Sequence, residues 1–238
     1  MGQGRSPLGR SGARSSRFED FGAGWDALQK STAFFSQHSN SDTWHTSELD
    51  STEYDAVQDY TGSGYISMNT AMYTTPYEEM EPNMRSKVRA LERGLDKFVL
   101  TKGIQVTRQA DFKIFGAQSG DKMTVQQIKD YIKANADPKD GTLQNNGFLS
   151  AGANNHGADI DGSGLVIHFR VPPSKGAGAY VNPISLHEGA SENEFLFNSN
   201  GRFKFDTGSI HVGSDGNIHI NAVWKGRSKK QAFKKKKK

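Results

Sequence analysis

The order of the periodic segments is the feature that most limits the fold of this 238-residue chain. Helical spacing governs the first half, where Met84, Val88, Leu91 and Leu95 share one helical face. Alternating spacing governs the second half, as in 165–171, where every second residue is apolar and these residues share one strand face. Helices that precede a run of strands predict an α+β domain with mainly antiparallel pairing.

Local signals place the other elements within this order. Thr52 is predicted to cap a helical segment that Thr61–Gly64 divides into two helices. Thr124 and Gln127 have the spacing of a capping box ahead of another helix. Short alternating segments predict strands in Gly103–Arg108, Glu194–Phe197, Phe203–Phe205, Ser209–Val212 and Ile218–Trp224. Asp215–Gly216 predicts a turn between the last two of these strands.

The charges divide the chain into three parts. The first 17 residues hold four arginines and the last 14 hold nine basic residues, and neither stretch contains an acid. The middle keeps 17 basic residues against all 26 acidic ones, so it is acidic although the whole chain has a net charge of +4. We predict a basic, largely flexible leader with a short helix over 1–45, one domain over 46–224 and a lysine-rich tail over 225–238.

Composition excludes several classes of function. The chain has no cysteine, so it has neither disulfides nor a thiol nucleophile. No apolar run reaches the length of a membrane helix, and the basic N-terminus has no apolar stretch behind it, so no membrane partner and no secretory signal are predicted. The seven histidines lack metal-ligand spacing, so no metal is predicted. His211 and His219 are expected to face each other across the last hairpin as a solvent-side pair.

Three features suggest chemistry on a sugar bound to phosphates. Glu192 and Glu194 would place two carboxylates on one face, roughly 6.5 to 7 Å apart, if this stretch is extended. Such a pair suits glycosidic chemistry, in which one carboxylate stabilises a cationic sugar carbon and the other handles a proton. Arg108 ends a strand, where its guanidinium could hold a pyrophosphate. Ser150 could orient a carboxylate through its hydroxyl. Each of these residues, taken alone, is more often an ordinary surface or turn residue than a functional one.

Five segments in this order resemble the mono-ADP-ribosyltransferases of the arginine–serine–glutamate class, over roughly residues 47–224. Tyr60–Asn69 reads YTGSGYISMN, like the family's early helical segment, and the strand with Arg108 and the strand with Ser150 follow. Lys175–Val181 contains the family's G-x-G-A-Y run. Residues 192–205 are similar to its E-x-E-x-L-L…G-x-x-F-x-V segment.

This resemblance implies a toxin-like fold in which N-terminal helices precede two packed antiparallel sheets around an NAD cleft. The implied activity is transfer of ADP-ribose from NAD, as a substrate, to an arginine of a target protein. Glu194 would then be the catalytic glutamate and Glu192 would act on the acceptor, since Glu at that position accompanies arginine modification in this family. Arg108 would hold NAD, and Ser150 would position Glu194.

Two departures from the family leave alternatives open. The usual serine-threonine-serine motif reads Ser150-Ala151-Gly152 here, and the recognition loop, taken as Ser185–Ser191, lacks its frequent aromatic residue. An NAD glycohydrolase, an inactive binding or virion protein with the same fold, and an enzyme that modifies nucleic acid therefore remain alternatives. The lysine tail is a possible nucleic-acid contact.

Composition and resemblance together predict where the protein acts and where it comes from. A chain without cysteine suits a reducing cytosol, and we expect a monomer that works there. Phage-encoded members of the resembled family modify host proteins, and a basic-tailed chain of this size is compatible with that origin.

Overall fold

The computed structural model describes residues 18–118, 120–154, 164–186 and 193–231. Within these ranges the chain forms helices first and strands later, as predicted. The α-helices are α1 (Gly24–His38), α2 (Ser41–Thr43), α3 (Ser51–Asp59), α4 (Tyr65–Thr74), α5 (Pro82–Asp96) and α6 (Val125–Asn135). The strands are β1 (Val99–Leu100), β2 (Ile104–Ala110), β3 (Leu143–Asn145), β4 (Leu149–Gly152), β5 (Leu165–Val171), β6 (Ser174–Lys175), β7 (Gly178–Tyr180), β8 (Glu194–Phe197), β9 (Gly201–Val212) and β10 (Ile218–Arg227).

Helices α3, α5 and α6 begin where a side chain accepts a hydrogen bond from an amide of the first turn. The capping box predicted for α6 is present, with Thr124 accepting from the Gln127 amide. The helical segment that was predicted to be divided at Thr61–Gly64 is also divided, because a π-helical turn at Tyr60–Gly64 separates α3 from α4. The cap of α3 is Asp50 rather than Thr52, since the Asp50 carboxylate accepts from the Glu53 amide. Among the described helices, none is both long and apolar enough to cross a membrane.

Eight strands form one hydrogen-bonded order, β3-β9-β10-β5-β2-β4-β8-β7, and β1 and β6 pair separately. The pairing is shortest between β2 and β4, which share a single partner pair, Thr107 with Gly152. By contrast, β2 and β5 share seven partner pairs, from Ile104 to Ala110. The sheet is therefore weakest between β2 and β4, and this junction separates it into two halves.

The two halves pack face to face around an aromatic core. The rings of Phe169 on β5 and Phe197 on β8 lie 5.2 Å apart, and Phe197 lies 5.7 Å from Trp224 on β10. In a flat sheet, β5 and β8 would be separated by about 14 Å, because each step between neighbours is about 4.8 Å. The sheet must fold on itself at the β2–β4 junction, which confirms the expected packing of two sheets.

Two details of the sheet differ from the sequence-based expectation. Phe203–Phe205 and Ser209–Val212 are not separate strands, because β9 continues through Gly208 as one 12-residue strand. One pair, β5 with β10, is parallel, whereas the other strand pairs of the described structure are antiparallel. The α+β class with mainly antiparallel pairing is confirmed.

Helix α1 belongs to the core. The Phe35 ring stacks on Tyr180 of β7 at 4.2 Å, and Phe34 and Phe35 are buried. The short helix predicted in the N-terminal part is therefore present, and it packs with the rest of the domain. The three-part division of the chain stays a prediction, since residues 1–17 and 232–238 lie outside the described ranges.

Candidate active site

Arg108 lies on β2 and reaches across the junction to β4. Its Nη1 donates a hydrogen bond to the Ser150 carbonyl oxygen at 2.6 Å. Burial lowers the pKa of Arg108, and the nearby anionic charge of Glu194 opposes that shift. An arginine stays charged even so, because its ordinary pKa lies far above neutral pH. The site therefore holds a fixed positive charge in a partly desolvated position, where it attracts anions strongly.

Glu194 is the first residue of β8 and is only 5% exposed. Its ladder partner is Gly152 of β4, which is also the partner of Thr107 of β2. Glu194 is close enough to raise the pKa of Tyr60 and to act on Arg108. The structure thus brings the predicted glutamate and the predicted arginine to the same junction of the sheet.

Ser150 lies beside both residues. It pairs with Leu196, two residues beyond Glu194, so Ser150 and Glu194 are diagonal neighbours on adjoining antiparallel strands. Such neighbours have Cα atoms about 7–8 Å apart and lie on one face of the sheet. The Ser150 carbonyl is the group that contacts Arg108. The bond from its hydroxyl to Glu194 remains a prediction that this placement allows.

Asn193 sets the start of β8 and was not anticipated from the sequence. It is 2% exposed, and its Oδ1 accepts from Ser31 at 2.7 Å and from the Tyr180 hydroxyl at 2.8 Å. Its Nδ2 donates to the Ala153 carbonyl at 2.6 Å. These bonds fasten the residue before Glu194 to α1, to the residue just after β4 and to β7. The sequence signal was weak, because only the tolerance of asparagine for unusual turns distinguishes this position.

The expected extended geometry of the two glutamates is wrong at Asn193. Its φ is +46°, in the left-handed region, so strand alternation does not run through this residue. The premise that Glu192 and Glu194 share a strand face therefore fails. Glu192 itself lies outside the described residues, as do the others of 187–192.

One wall of the site comes from the YTGSGYISMN segment. Asn69 donates to the Tyr60 hydroxyl at 2.9 Å and accepts from the Phe148 amide at 2.9 Å. The Tyr60 ring packs edge-on against Phe148, with centroids 5.4 Å apart. Burial raises the pKa of Tyr60, so its phenol stays neutral and acts only through hydrogen bonds. Asn69 thus ties the helical wall to the residue just before β4.

Gly147 permits this close approach. A Cβ atom there would lie 2.6 Å from Asn69 Oδ1 and 2.9 Å from the Tyr73 ring. Any side chain would push the helical wall away from β4. The glycine is therefore required by contact with α4.

A cavity of about 520 Å³ opens beside Arg108. Its apolar side includes Phe169, Phe203 and Phe205, and its polar side includes Arg108 and Asn145. This volume and this mixture are typical of ligand pockets. A second cavity of about 830 Å³, between α5 and Arg227, is larger but does not include the junction residues. The smaller cavity is the candidate ligand site because the partly buried Arg108 lines it, whereas Glu194 and Ser150 lie beside it and not in its lining.

No metal centre accompanies this site in the described ranges. Among their histidine, aspartate and glutamate side chains, no group of three or more could hold a metal ion.

Comparison with known proteins assigns the family. The sequence profile of the ADP-ribosyltransferase exoenzyme family matches residues 37–226. This match covers most of the chain, including the junction and the cavity beside it. The chain belongs to the ADP-ribosyltransferase exoenzyme family.

Solved structures of ADP-ribosyltransferase toxins share the fold. Plx2a, a toxin from Paenibacillus larvae, is 22% identical with a TM-score of 0.66, over 84% of this chain and 96% of that one. The Clostridium limosum C3 exoenzyme is 17% identical with a TM-score of 0.64, over 88% of this chain and 98% of that one. C3stau2 from S. aureus, solved with NAD, is 16% identical with a TM-score of 0.64, over 89% and 100%. No curated protein sequence matches the chain.

The wall of the site yields a stability prediction. In Asn69→Leu, the Tyr60 hydroxyl and the Phe148 amide both lose their partner. We expect the free energy of unfolding, measured by urea denaturation, to fall by about 1–3 kcal/mol, the cost of buried polar groups without partners. Asn135→Ala is the control, because its amide bonds the Tyr131 carbonyl at an exposed helix end. An equal loss in both variants would contradict the role given to Asn69.

Proposed function

We propose that this chain transfers ADP-ribose from NAD to an arginine of a target protein and releases nicotinamide. The observation that carries the proposal is the meeting of buried Glu194 and the Arg108 guanidinium at one sheet junction, beside a cavity of about 520 Å³. Membership of the exoenzyme family supports it. The NAD bound in the structure of C3stau2, a protein of the same fold, supports NAD as the substrate.

Glu194 would stabilise the transition state through its negative charge. Nicotinamide leaves with the electron pair of the glycosidic bond, so its cationic nitrogen becomes neutral and no general acid is needed. The positive charge then develops on the ribose carbon and ring oxygen. A buried carboxylate stabilises that charge more strongly than an exposed one, because the surroundings are less polar than water. Glu194 would also accept a hydrogen bond from the ribose 2′-hydroxyl.

Arg108 would hold the NAD phosphates. A guanidinium has paired donors that match a phosphate oxygen pair, and Arg108 has one Nη already committed to the Ser150 carbonyl. That bond fixes the direction of the side chain before NAD arrives. Arg108 would then hold the pyrophosphate and Glu194 the adjoining ribose, so both would bind the ADP-ribose part of NAD while nicotinamide leaves.

Glu192 would act on the acceptor. A target arginine attacks the ribose carbon through a guanidinium nitrogen, so a carbon–nitrogen bond forms and one N–H proton must leave. A carboxylate on the loop next to Glu194 would accept that proton. Arginine as the acceptor and a phage origin are the parts of the proposal that rest on sequence resemblance alone, and a cytosolic place of action rests on the lack of cysteine.

The first test removes the charge of Glu194 and keeps its shape. In Glu194→Gln we expect nicotinamide release from NAD to fall at least about 100-fold, because the transition state loses its fixed anion. Glu79→Gln, on an exposed turn, is the matched control. Equal rates in the two variants, in protein of unchanged melting temperature, would refute the proposed function.

The second test separates transfer from hydrolysis. In Glu192→Gln we expect labelling of lysate proteins by radioactive NAD to disappear, while hydrolysis of NAD stays within about threefold of the original rate, because only the acceptor proton depends on Glu192. Loss of both activities would give Glu192 a role in cleaving NAD. Retention of both would contradict the role given to Glu192, and no protein labelling by the unaltered chain would favour an NAD glycohydrolase.

The third test concerns Arg108. In Arg108→Lys we expect the affinity for NAD, measured by calorimetry, to fall about 10- to 100-fold, since charge-assisted hydrogen bonds contribute about 1.5–3 kcal/mol. Arg85→Lys on α5 is the control, because Arg85 does not line the cavity. Unchanged affinity in Arg108→Lys would contradict its assignment to NAD.

A further inference from the structure

A chain of four hydrogen-bonded side chains crosses the outer face of the sheet. Asp215 contacts His219 Nε2 at 3.1 Å, and His219 Nδ1 contacts His168 Nε2 at 3.0 Å. His168 Nδ1 contacts the Thr107 hydroxyl at 3.2 Å. The chain connects an exposed turn with a threonine that is 1% exposed. We call these four side chains the relay.

The relay ends behind the candidate active site. Thr107 is the residue of β2 whose partner is Gly152, and Gly152 is in turn the partner of Glu194. Thr107 also precedes Arg108, whose side chain leaves β2 on the opposite face because strand residues alternate. The last member of the relay thus lies in the backbone row that carries Glu194 and next to the residue assigned to NAD.

The junction has few other restraints of its own. Thr107 and Gly152 form the one ladder pair between β2 and β4 in the described structure, and the Arg108 bond to Ser150 is a second link. A change in how Thr107 is held therefore acts on the alignment of β2 with β4 more directly than it would within a longer ladder.

At neutral pH one proton arrangement satisfies every contact. The hydrogen bond from His219 holds the pKa of Asp215 at about 2, so Asp215 only accepts. His219 Nε2 then donates to Asp215, and its Nδ1 accepts from His168 Nε2. His168 Nδ1 consequently accepts, and the Thr107 hydroxyl donates.

One added proton on His168 reverses the contact with Thr107. A cationic His168 donates from both nitrogens, so its Nε2 still donates to His219 Nδ1 and its Nδ1 must now donate to Thr107. Thr107 then becomes the acceptor, and its buried hydroxyl proton loses its partner on His168. Such a proton must find another acceptor or leave a costly unpaired donor.

The surroundings of His168 resist this proton. Burial lowers its pKa from the ordinary value of 6.5, and His219, His211 and Arg170 lower it further, while Asp20 acts in the opposite sense. The His211 ring stacks on His219 at 5.3 Å, so a second imidazole faces the relay from β9. The unfolded chain takes up the proton near pH 6.5 and the folded chain resists it. Stability is therefore present above that pH and is lost as pH falls below it.

We propose that Thr107 and His168 are positioning residues that hold the β2–β4 junction aligned for Glu194 and Arg108 only while the Thr107 hydroxyl donates to a neutral His168. This inference rests on the proposed function, because the proposed function assigns Glu194 and Arg108 to NAD cleavage. Acidification would misalign the site before the domain unfolds. The relay is on described residues throughout, and none of its four members is assigned a contact with NAD.

The test is the pH profile of NAD cleavage between pH 5 and 8. For the unaltered chain we expect kcat to fall about tenfold per pH unit once the relay takes up its proton, as for a single required deprotonated group. In His168→Gln, which cannot titrate, we expect the same acid limb to flatten to less than about threefold over that range. His45→Gln is the control, because His45 lies outside the sheet and bonds the Ser41 carbonyl; it should keep the full acid limb.

Thr107 supplies a second pair of variants. Thr107→Ser keeps the hydroxyl and should retain both kcat and the acid limb. Thr107→Val has nearly the same shape without the hydroxyl and should lower kcat about tenfold at pH 7.5, a typical effect of a misplaced site. Melting temperatures at each pH separate this effect from unfolding. An acid limb that persists in His168→Gln, or equal kcat in Thr107→Ser and Thr107→Val, would overturn the inference.

Failure of this inference can be distinguished from failure of the proposed function. A chain that cleaves no NAD at any pH refutes the function. The relay is then decided by NMR titration of the imidazole nitrogens of His168 and His219. Rings that titrate as one coupled pair support the relay, and rings that titrate independently overturn it.

Discussion

The weak pairing between β2 and β4 is the constraint on which the rest of the site depends. A fully paired sheet would keep β5 and β8 far apart, but one ladder pair lets the sheet fold so that Phe169 and Phe197 touch. The same fold brings a guanidinium and a carboxylate to one place from strands distant in sequence. The core and the candidate active site thus share a single geometric cause, and the Arg108 bond to Ser150 compensates in part for the missing ladder.

Local elements followed from the sequence because their causes are local. The capping box of α6 and the apolar face of α5 depend on residues within one or two turns, and both are present. The continuity of β9 through Gly208 could not be predicted, because a glycine in an exposed alternating segment normally indicates a break. Its antiparallel pairing with β10 continues on both sides of Gly208, with a register shift where residues 207–210 lie, and that pairing is tertiary.

The candidate site likewise contains residues that could be identified from the sequence and one that could not. Arg108 and Glu194 were identified by residue type and order, and the structure brings them together. Asn193 was missed because its function lies in contacts to α1, β7 and the residue just after β4, none of which is visible in sequence. The predicted shared face of Glu192 and Glu194 failed for the same reason, since a left-handed residue between them interrupts the alternation.

The left-handed turn at Asn193 has an evolutionary consequence. It separates the residue that would break the bond in NAD from the segment that would meet the acceptor, and its own anchors lie in the domain rather than in that segment. Mutations that diversify residues 187–192 would therefore leave the cleavage chemistry intact. Under such an arrangement, the choice of acceptor could change through substitutions at those six positions while Glu194 keeps its place.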